Sequence, residues 1–208
     1  MVKLNAPCLS LGASGSLAGS IVFSNWKGRA YARSLVVPSN PKSALQVSMR
    51  AMMKFLSQSW AGVGSTPQGT WDDLAAAGSY SAFNAFVSKN QMRWREFQAP
   101  SQSYPAAETG TAPVATLDSA TGGERHIDLE FTITTLNDVW GVIIFRSDSG
   151  TFTPSLSNAI AVLEVDSTGT LVFTDSNLAA GTYYYDACFF SKEGKLEAEE
   201  GEVNGTAT

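Results

Sequence analysis

Two hydrophobic periods divide the chain. Before residue 98 the apolar positions form short runs and helical stripes, and from Val114 onward they alternate with polar ones. The run Ser20–Ser24 (SIVFS), the turn Asn25-Trp26-Lys27-Gly28 and the return segment 29–37 read as a β-hairpin. A lone hairpin is marginal in water, so this one needs something to pack on. Asn40-Pro41 reads as a helix start, with Asn40 as the cap and Pro41 at the first helical position. Leu45, Met49, Met52, Leu56 and Trp60 then share one helical stripe, which predicts a helix from Pro41 to about Trp60. Residues 61–69, with Gly62 and Gly64 as breakers, read as a loop, and Thr70 caps a short helix that opens Trp71-Asp72-Asp73-Leu74. Gly78 ends it, and Ser79 or Ser81 opens a third helix reaching about Phe97. That helix carries the stripe Phe83, Phe86, Val87, Asn90 and Trp94. An amide in such an apolar row is expected to be buried and bonded to backbone.

The remaining segments set the domain plan. Residues 1–19 are rich in Gly, Ser and Ala and read as an extended arm. Residues 98–113 (QAPSQSYPAAETGTAP) read as a linker. Beyond it, candidate strands fall at 114–119, 125–134, 139–147, 159–165, 169–174, 182–191 and 195–203, with turn signals such as Thr121-Gly122-Gly123 between them. In the second of these, Ile127, Leu129, Phe131 and Ile133 form an inward row. Seven short strands of this kind predict an immunoglobulin-like β-sandwich, and Trp140 sits on the third strand, where such sandwiches bury a tryptophan. The segment Leu178-Ala179-Ala180-Gly181-Thr182-Tyr183 resembles the entry to the sixth strand of fibronectin type III-like domains. That resemblance implies a tyrosine corner at Tyr183; Tyr184 is the other candidate, but its register would put Asp186 in the core, which is costly. Alternation then turns Tyr183, Tyr185, Ala187 and Phe189 inward, and Asp186 and Cys188 outward. The expected fold class is α+β: an N-terminal β-hairpin plus a three-helix module, followed by an all-β sandwich. Its parts are an arm (1–19), a hairpin and helical docking domain (20–97), a linker (98–113) and the sandwich (114–208).

Composition narrows the chemistry. The chain has 208 residues with one histidine, His126, and two cysteines, Cys8 and Cys188. No nucleophile elbow and no zinc-ligand spacing occurs, so no catalytic residue, metal ligand or cofactor site is assigned, and the chain reads as a non-enzyme. The cysteines read as free thiols of a reducing compartment, and the sequon Asn204-Gly205-Thr206 reads as a solvated terminus. Glu197, Glu199, Glu200 and Glu202 read as an edge strand made polar. The longest apolar run, Val139–Phe145, has 7 residues, against about 20 for a membrane helix. No apolar stretch follows Lys3, so no signal peptide is expected.

Charge adds a second asymmetry. The net −5 splits into +7 over residues 1–100 and −12 over residues 101–208. A basic half suits nucleic acid or an acidic protein surface. Trp26-Lys27-Gly28-Arg29 with Tyr31 and Arg33, and Arg93-Trp94-Arg95, mix aromatic and cationic side chains, as strand-binding surfaces do. The plainer reading, preferred at this point, is that Trp26 and Trp94 pack while the cations stay solvated. Trp26, Lys27, Arg29, Arg33, Arg93 and Arg95 are the candidate interaction residues.

The order of features in the first hundred residues resembles a widespread group of tailed-phage and prophage proteins. These features are the Trp-Lys-Gly turn, the basic return strand with Arg29 and Arg33, the Asn-Pro-Lys-Ser-Ala-Leu-Gln start with Arg50 after Gln46, then Trp60, Trp71, and Phe83-Asn84-Ala85-Phe86-Val87 with Asn90. The chain departs from that group in its Gly-rich loop (Gly62, Gly64, Gly69) and in lacking Gln-Arg before Trp71. The resemblance implies a structural component of a virion, made in the host cytoplasm. The expected role is an accessory capsid protein, decoration or minor head, that docks through its N-terminal half. A head–tail connector or tail component is the alternative, and a module binding a host glycan or surface protein is the next. Expected partners are major capsid, neck or tail subunits and further copies of the chain, with no membrane and with nucleic acid less favoured.

Overall fold

The computed structural model describes residues 2–3, 14–37, 39–78 and 80–208, so Cys8, Ser79 and most of the expected arm lie outside the described residues. The chain forms two units, Met1–Pro41 and Lys42–Thr208. The first is a four-stranded antiparallel sheet of β1 (Val2–Lys3), β2 (Gly15–Leu17), β3 (Ile21–Trp26) and β4 (Arg29–Ser34), in the order β1-β4-β3-β2. The expected hairpin is its centre. Lys27 (φ 49°) and Gly28 (φ 76°) are both left-handed, the two-residue mirror turn whose twist matches that of the strands it joins. Residues 15–17 and 2–3 of the expected arm add the two edges.

The second unit opens with α1 (Ala44–Ser59), followed by a 3-10 turn at 60–62, α2 (Ser65–Ala76) and α3 (Ala82–Arg95). Two helix starts differ from expectation. α1 is capped at Ser43, not Asn40, and Pro41 precedes it, because Lys42 takes a left-handed φ of 49° that a helix beginning at Pro41 cannot contain. α2 starts six residues before Trp71, within the expected loop. Pro67 is tolerated there because the N–H groups of a first turn have no acceptor inside the helix. Thr70 is thus inside the helix, where its hydroxyl donates to the Pro67 carbonyl (2.7 Å). At α3 the cap is Ser81, whose Oγ accepts from Asn84 N.

Eight strands follow: β5 (Val114–Gly123), β6 (His126–Thr135), β7 (Val139–Ser147), β8 (Ala159–Glu164), β9 (Gly169–Ser176), β10 (Gly181–Ser191), β11 (Leu196–Glu199) and β12 (Val203–Ala207). One sheet runs β5-β6-β9; the other runs β8-β7-β10, with β12 and β11 end to end along the remaining edge of β10. This three-plus-five arrangement, in which β11 and β12 together fill one strand position, is that of an immunoglobulin-like sandwich of the fibronectin type III kind. The last expected strand is split at 200–202, where Gly201 takes φ 104°. Gly122 and Gly123 belong to β5 rather than to a turn, because β12 passes against them: a Cβ on Gly122 would collide with the Thr206 carbonyl.

Two cores share the second sheet. Ile127, Leu129, Phe131, Val142, Ile144, Tyr185, Ala187 and Phe189 fill the sandwich interior. Ile143, Phe145, Cys188 and Phe190, from the opposite face, pack with Met52, Phe55, Leu56, Trp71, Phe86 and Trp94 of the helices. Cys188 points away from the sandwich as expected, but into this second core rather than into water. Trp140 is buried (2% exposed) in the helical core, 4.9 Å from Phe55 between ring centroids, not between the sheets. A bulge is the cause. Ser191 pairs with Val139 and Phe190 with Gly141, so Trp140 is the extra residue and the alternation shifts there. Gly141 permits this, because a Cβ would stand 2.5 Å from the Leu163 carbonyl.

The expected linker lies inside the second unit and is bound along its length. Ala99 and Ser101 are buried. Asn90 Nδ2 donates to the Ser101 carbonyl (2.9 Å), and Ser101 N donates back to Asn90 Oδ1 (2.8 Å). Gln102 N donates to Lys192 O, Glu108 N to Glu193 O and Thr111 N to Asp138 Oδ2. Composition suggested flexibility here, but these bonds replace the water that a Pro/Ser-rich segment would otherwise keep.

Candidate functional site

Cross-strand register sorts the first unit's sheet into two faces. Directly paired residues of antiparallel strands lie on the same face, and neighbours along a strand alternate. The pairs Ile21–Ser34, Phe23–Ala32, Asn25–Ala30 and Leu17–Ile21 put Leu17, Ile21, Phe23, Ala30 and Ala32 on one side. The pairs Val22–Arg33, Ser24–Tyr31 and Trp26–Arg29 put Trp26, Arg29, Tyr31 and Arg33 on the other. The first face is apolar apart from Asn25 and Ser34 at its ends; the second is aromatic and cationic and also carries Val22 and Ser24. Among residues 14–37 and 39–41 none is fully buried, and Val22, Phe23 and Tyr31 are half-buried. Leu17 is 55% exposed, Trp26 64% and Val37 82%. Residues 1–41 hold four Lys and Arg and no Asp or Glu. Burying apolar side chains is the main favourable term in folding a sheet, and this sheet buries none within its own unit.

Four of the six interaction candidates are thus brought together. Lys27 Nζ stands 4.9 Å from the centre of the Trp26 ring. Trp94 is fully buried, its indole donating to Ser48 Oγ (3.0 Å), so the packing expectation holds for Trp94 and fails for Trp26. Arg93 is a structural clamp. Its guanidinium donates to the Ala99 and Gly194 carbonyls and pairs with Glu108 at 3.0 Å, tying α3 to the β10–β11 turn. Arg95 is exposed at the end of α3 and belongs to the other unit. The sequence left the apolar face of the sheet unidentified, because Ile21-Val22-Phe23 is an unbroken run that does not show which side is which; only the register separates Val22 from its neighbours.

The second unit holds its polar groups in structural roles. Tyr183 donates its hydroxyl to the Ala179 carbonyl (3.1 Å), the tyrosine-corner bond. Asp175 bridges the sheets by accepting from Arg146 (2.7 Å) and from the Tyr185 hydroxyl (3.0 Å); burial and the Asp175 charge push the Tyr185 phenol up. Burial pushes the Cys188 thiol up to about 12, which keeps it an unreactive thiol. His126 Nε2 and Asp128 Oδ2 stand 3.8 Å apart on the outer face of β6. A cleft of about 270 Å³ beside α3 is lined by Trp71, Lys89, Arg93 and Tyr104, and a broad open hollow of about 600 Å³ lies over Arg125, His126 and Asp128. Among the described residues no group of three or more His, Cys, Asp or Glu is placed to hold a metal ion.

Asp186 carries a pH prediction. It is 3% exposed, and its Oδ1 accepts from Ala187 N and Gly201 N. Burial raises its pKa first, and Glu199 and Glu202 raise it further. Burial and Asp186 raise Glu200 as well. A carboxyl raised in the folded state gives stability that is present below its ordinary pKa and lost as pH climbs through the raised one. The melting temperature is therefore expected to fall as pH rises above the ordinary carboxylate range. Asp186→Asn, which keeps the accepting oxygen, should raise the melting temperature at neutral pH by a few degrees and flatten that slope. Thermal melts of both proteins across pH check this; a lower melting temperature for the variant at neutral pH contradicts it.

No protein-family model matches the chain, and no curated protein matches it. Among solved structures, a β-1,2-glucanase from Parabacteroides distasonis is similar at 22% identity over 48% of this chain, with a TM-score of 0.39, and the match spans 13% of the glucanase. A Fn3-like protein from Clostridium thermocellum is similar at 20% identity over 47% of this chain and 96% of its own, with a TM-score of 0.36. A PKD domain of an M14-like peptidase from a Thermoplasmatales archaeon is similar at 16% identity over 47% of this chain and 94% of its own, with a TM-score of 0.27. At these scores the likenesses carry no argument; the strand order of the second unit identifies its sandwich as immunoglobulin-like.

Proposed function

We propose that the chain is a non-enzymatic structural component of a tailed-phage particle, an accessory capsid protein that docks through the apolar face of its N-terminal sheet and leaves the sandwich exposed. The observation that carries the docking is that sheet: its apolar face, with Leu17, Ile21 and Phe23, has no buried residue and no core of its own. A contiguous apolar face of this kind marks a protein–protein contact. The motif order of the first hundred residues supports the phage assignment, and the clamped helices and sandwich supply a rigid body to display. The docking element is narrower than the N-terminal half, because the helices complete the second unit's core.

The test is co-sedimentation of the purified chain with phage heads that lack it. Wild-type protein is expected to bind at a fixed ratio per head. Phe23→Glu puts a charge in the middle of the apolar face and should weaken binding by about ten-fold or more, as the loss of a central interface anchor does, with an unchanged melting temperature. A chain that ignores heads but assembles alone into rings or tubes moves the assignment to the neck or tail. A chain that does neither contradicts it.

A further inference from the structure

We propose that the opposite face of the N-terminal sheet binds single-stranded nucleic acid. This goes beyond the docking role and does not depend on it, since the two use opposite faces of one sheet. Trp26, Arg29, Tyr31 and Arg33 lie on this face by register, and Lys27 leans on the Trp26 ring from the turn. On β4 the sequence Arg29-Ala30-Tyr31-Ala32-Arg33 is a strict alternation of cation, aromatic and cation with alanine. Its outward side chains stand about 6.6 Å apart, twice the rise per strand residue, a spacing an extended polynucleotide backbone can follow. The rest of this face holds Ser24 opposite Tyr31 and Val22 opposite Arg33.

Three observations select this occupant. Charge comes first: the described strands of the sheet carry cations without one carboxylate, and the whole segment 1–41 has none. Exposure comes second. A tryptophan 64% open to solvent would be an idle cost on a face that needed only charge. A ring flanked by Arg and Lys is the combination that stacks a base while its phosphates are paired. Shape comes third. A sheet face offers a stacking platform, which requires unpaired bases, whereas a duplex keeps its bases stacked inside. An acidic protein surface would use the cations and leave the indole and phenol without a role.

The experiment uses the full chain and a fluorescein-labelled oligothymidylate of about 20 nucleotides, read by anisotropy. Binding is expected at low salt, falling with log salt at a slope near −2 for about three phosphate contacts. Trp26→Ala should weaken it about ten-fold and leave the slope unchanged, because a stacked base is lost and no phosphate contact is. The double variant Arg29→Ala/Arg33→Ala should make the slope shallower by about 1.4, two contacts at about 0.7 each. Circular dichroism confirms that each variant keeps the wild-type fold. Phe23→Glu, on the other face, should bind the oligonucleotide as wild type does, so a failure here and a failure of docking are read separately. No binding by the wild type, equal binding by Trp26→Ala, tighter binding of the matching duplex, or equal competition by polyglutamate would each overturn the proposal.

Discussion

Phe86→Ala should destabilise the second unit by about 4 kcal/mol, the range for deleting a fully buried phenylalanine, and helices and sandwich should lose that stability together. Phe86 is fully buried, with its ring 4.9 Å from Trp60, 5.5 Å from Trp71 and 6.3 Å from Trp140. It therefore touches the turn after α1, the middle of α2 and the bulge of β7 at once. Removing it leaves a cavity ringed by three indoles, which are too rigid to collapse into the space. At about 2–4 °C per kcal/mol for a unit of this size, the melting temperature should fall by roughly 10 °C. The readout that matters is coincidence. Far-ultraviolet dichroism of the helices and hydrogen exchange of the β6 amides in the sandwich should shift by the same amount. A helical transition that moves while the sandwich transition stays would contradict the single shared core.

The second large effect is expected from Gly122→Ala, about 3 kcal/mol, the upper range for forcing atoms into a packed site. The side chain would be added at the point where β12 crosses β5, against the Thr206 carbonyl, which is backbone and has no rotamer to yield. Gly205 makes the reciprocal approach: a Cβ there would stand 2.8 Å from the Ala120 carbonyl. The bonds most exposed to the shift are Arg125 N to Thr208 O (2.9 Å) and Thr208 N to Gly123 O (3.0 Å), which close that side of the sandwich. Chemical denaturation of the variant gives the stability, and carboxypeptidase sensitivity of the last residues gives the location. A variant as stable as wild type would contradict the close crossing.

Much of this was legible in the sequence, for reasons that differ by region. Ile127, Leu129, Phe131 and Ile133 alternate cleanly with polar residues, so that strand follows from period alone. Asn90 was readable as a buried amide because an apolar stripe leaves it no water. What the sequence hid is what depends on a second element. Gly122-Gly123 looks like a turn unless β12 is known to pass beside it. Residues 98–113 have the composition of a linker, and nothing local shows that Asn90, Lys192 and Asp138 will hold their backbone. Val139–Phe145 is apolar on every residue, so it could not reveal that one face meets the sandwich and the other the helices. Nor could Trp140 be oriented without the bulge. The N-terminal sheet was half legible: the Trp26, Arg29 and Arg33 cluster was visible, but Leu17, Ile21 and Phe23 become one face only when the β2–β3 and β3–β4 registers are known.

The central claim is that β1 to β4 form a sheet that completes itself on a partner, whereas Lys42–Thr208 is complete alone. Native-state hydrogen exchange on the isolated chain tests it most directly. Amides of β3 and β4 should exchange by local opening that costs little free energy, far faster than those of β7 and β10, while α1 and α3 share the high opening free energy of β7. If the amides of 21–34 are instead protected as strongly as those of 139–145 in the free chain, the N-terminal sheet is self-sufficient and the docking account is wrong.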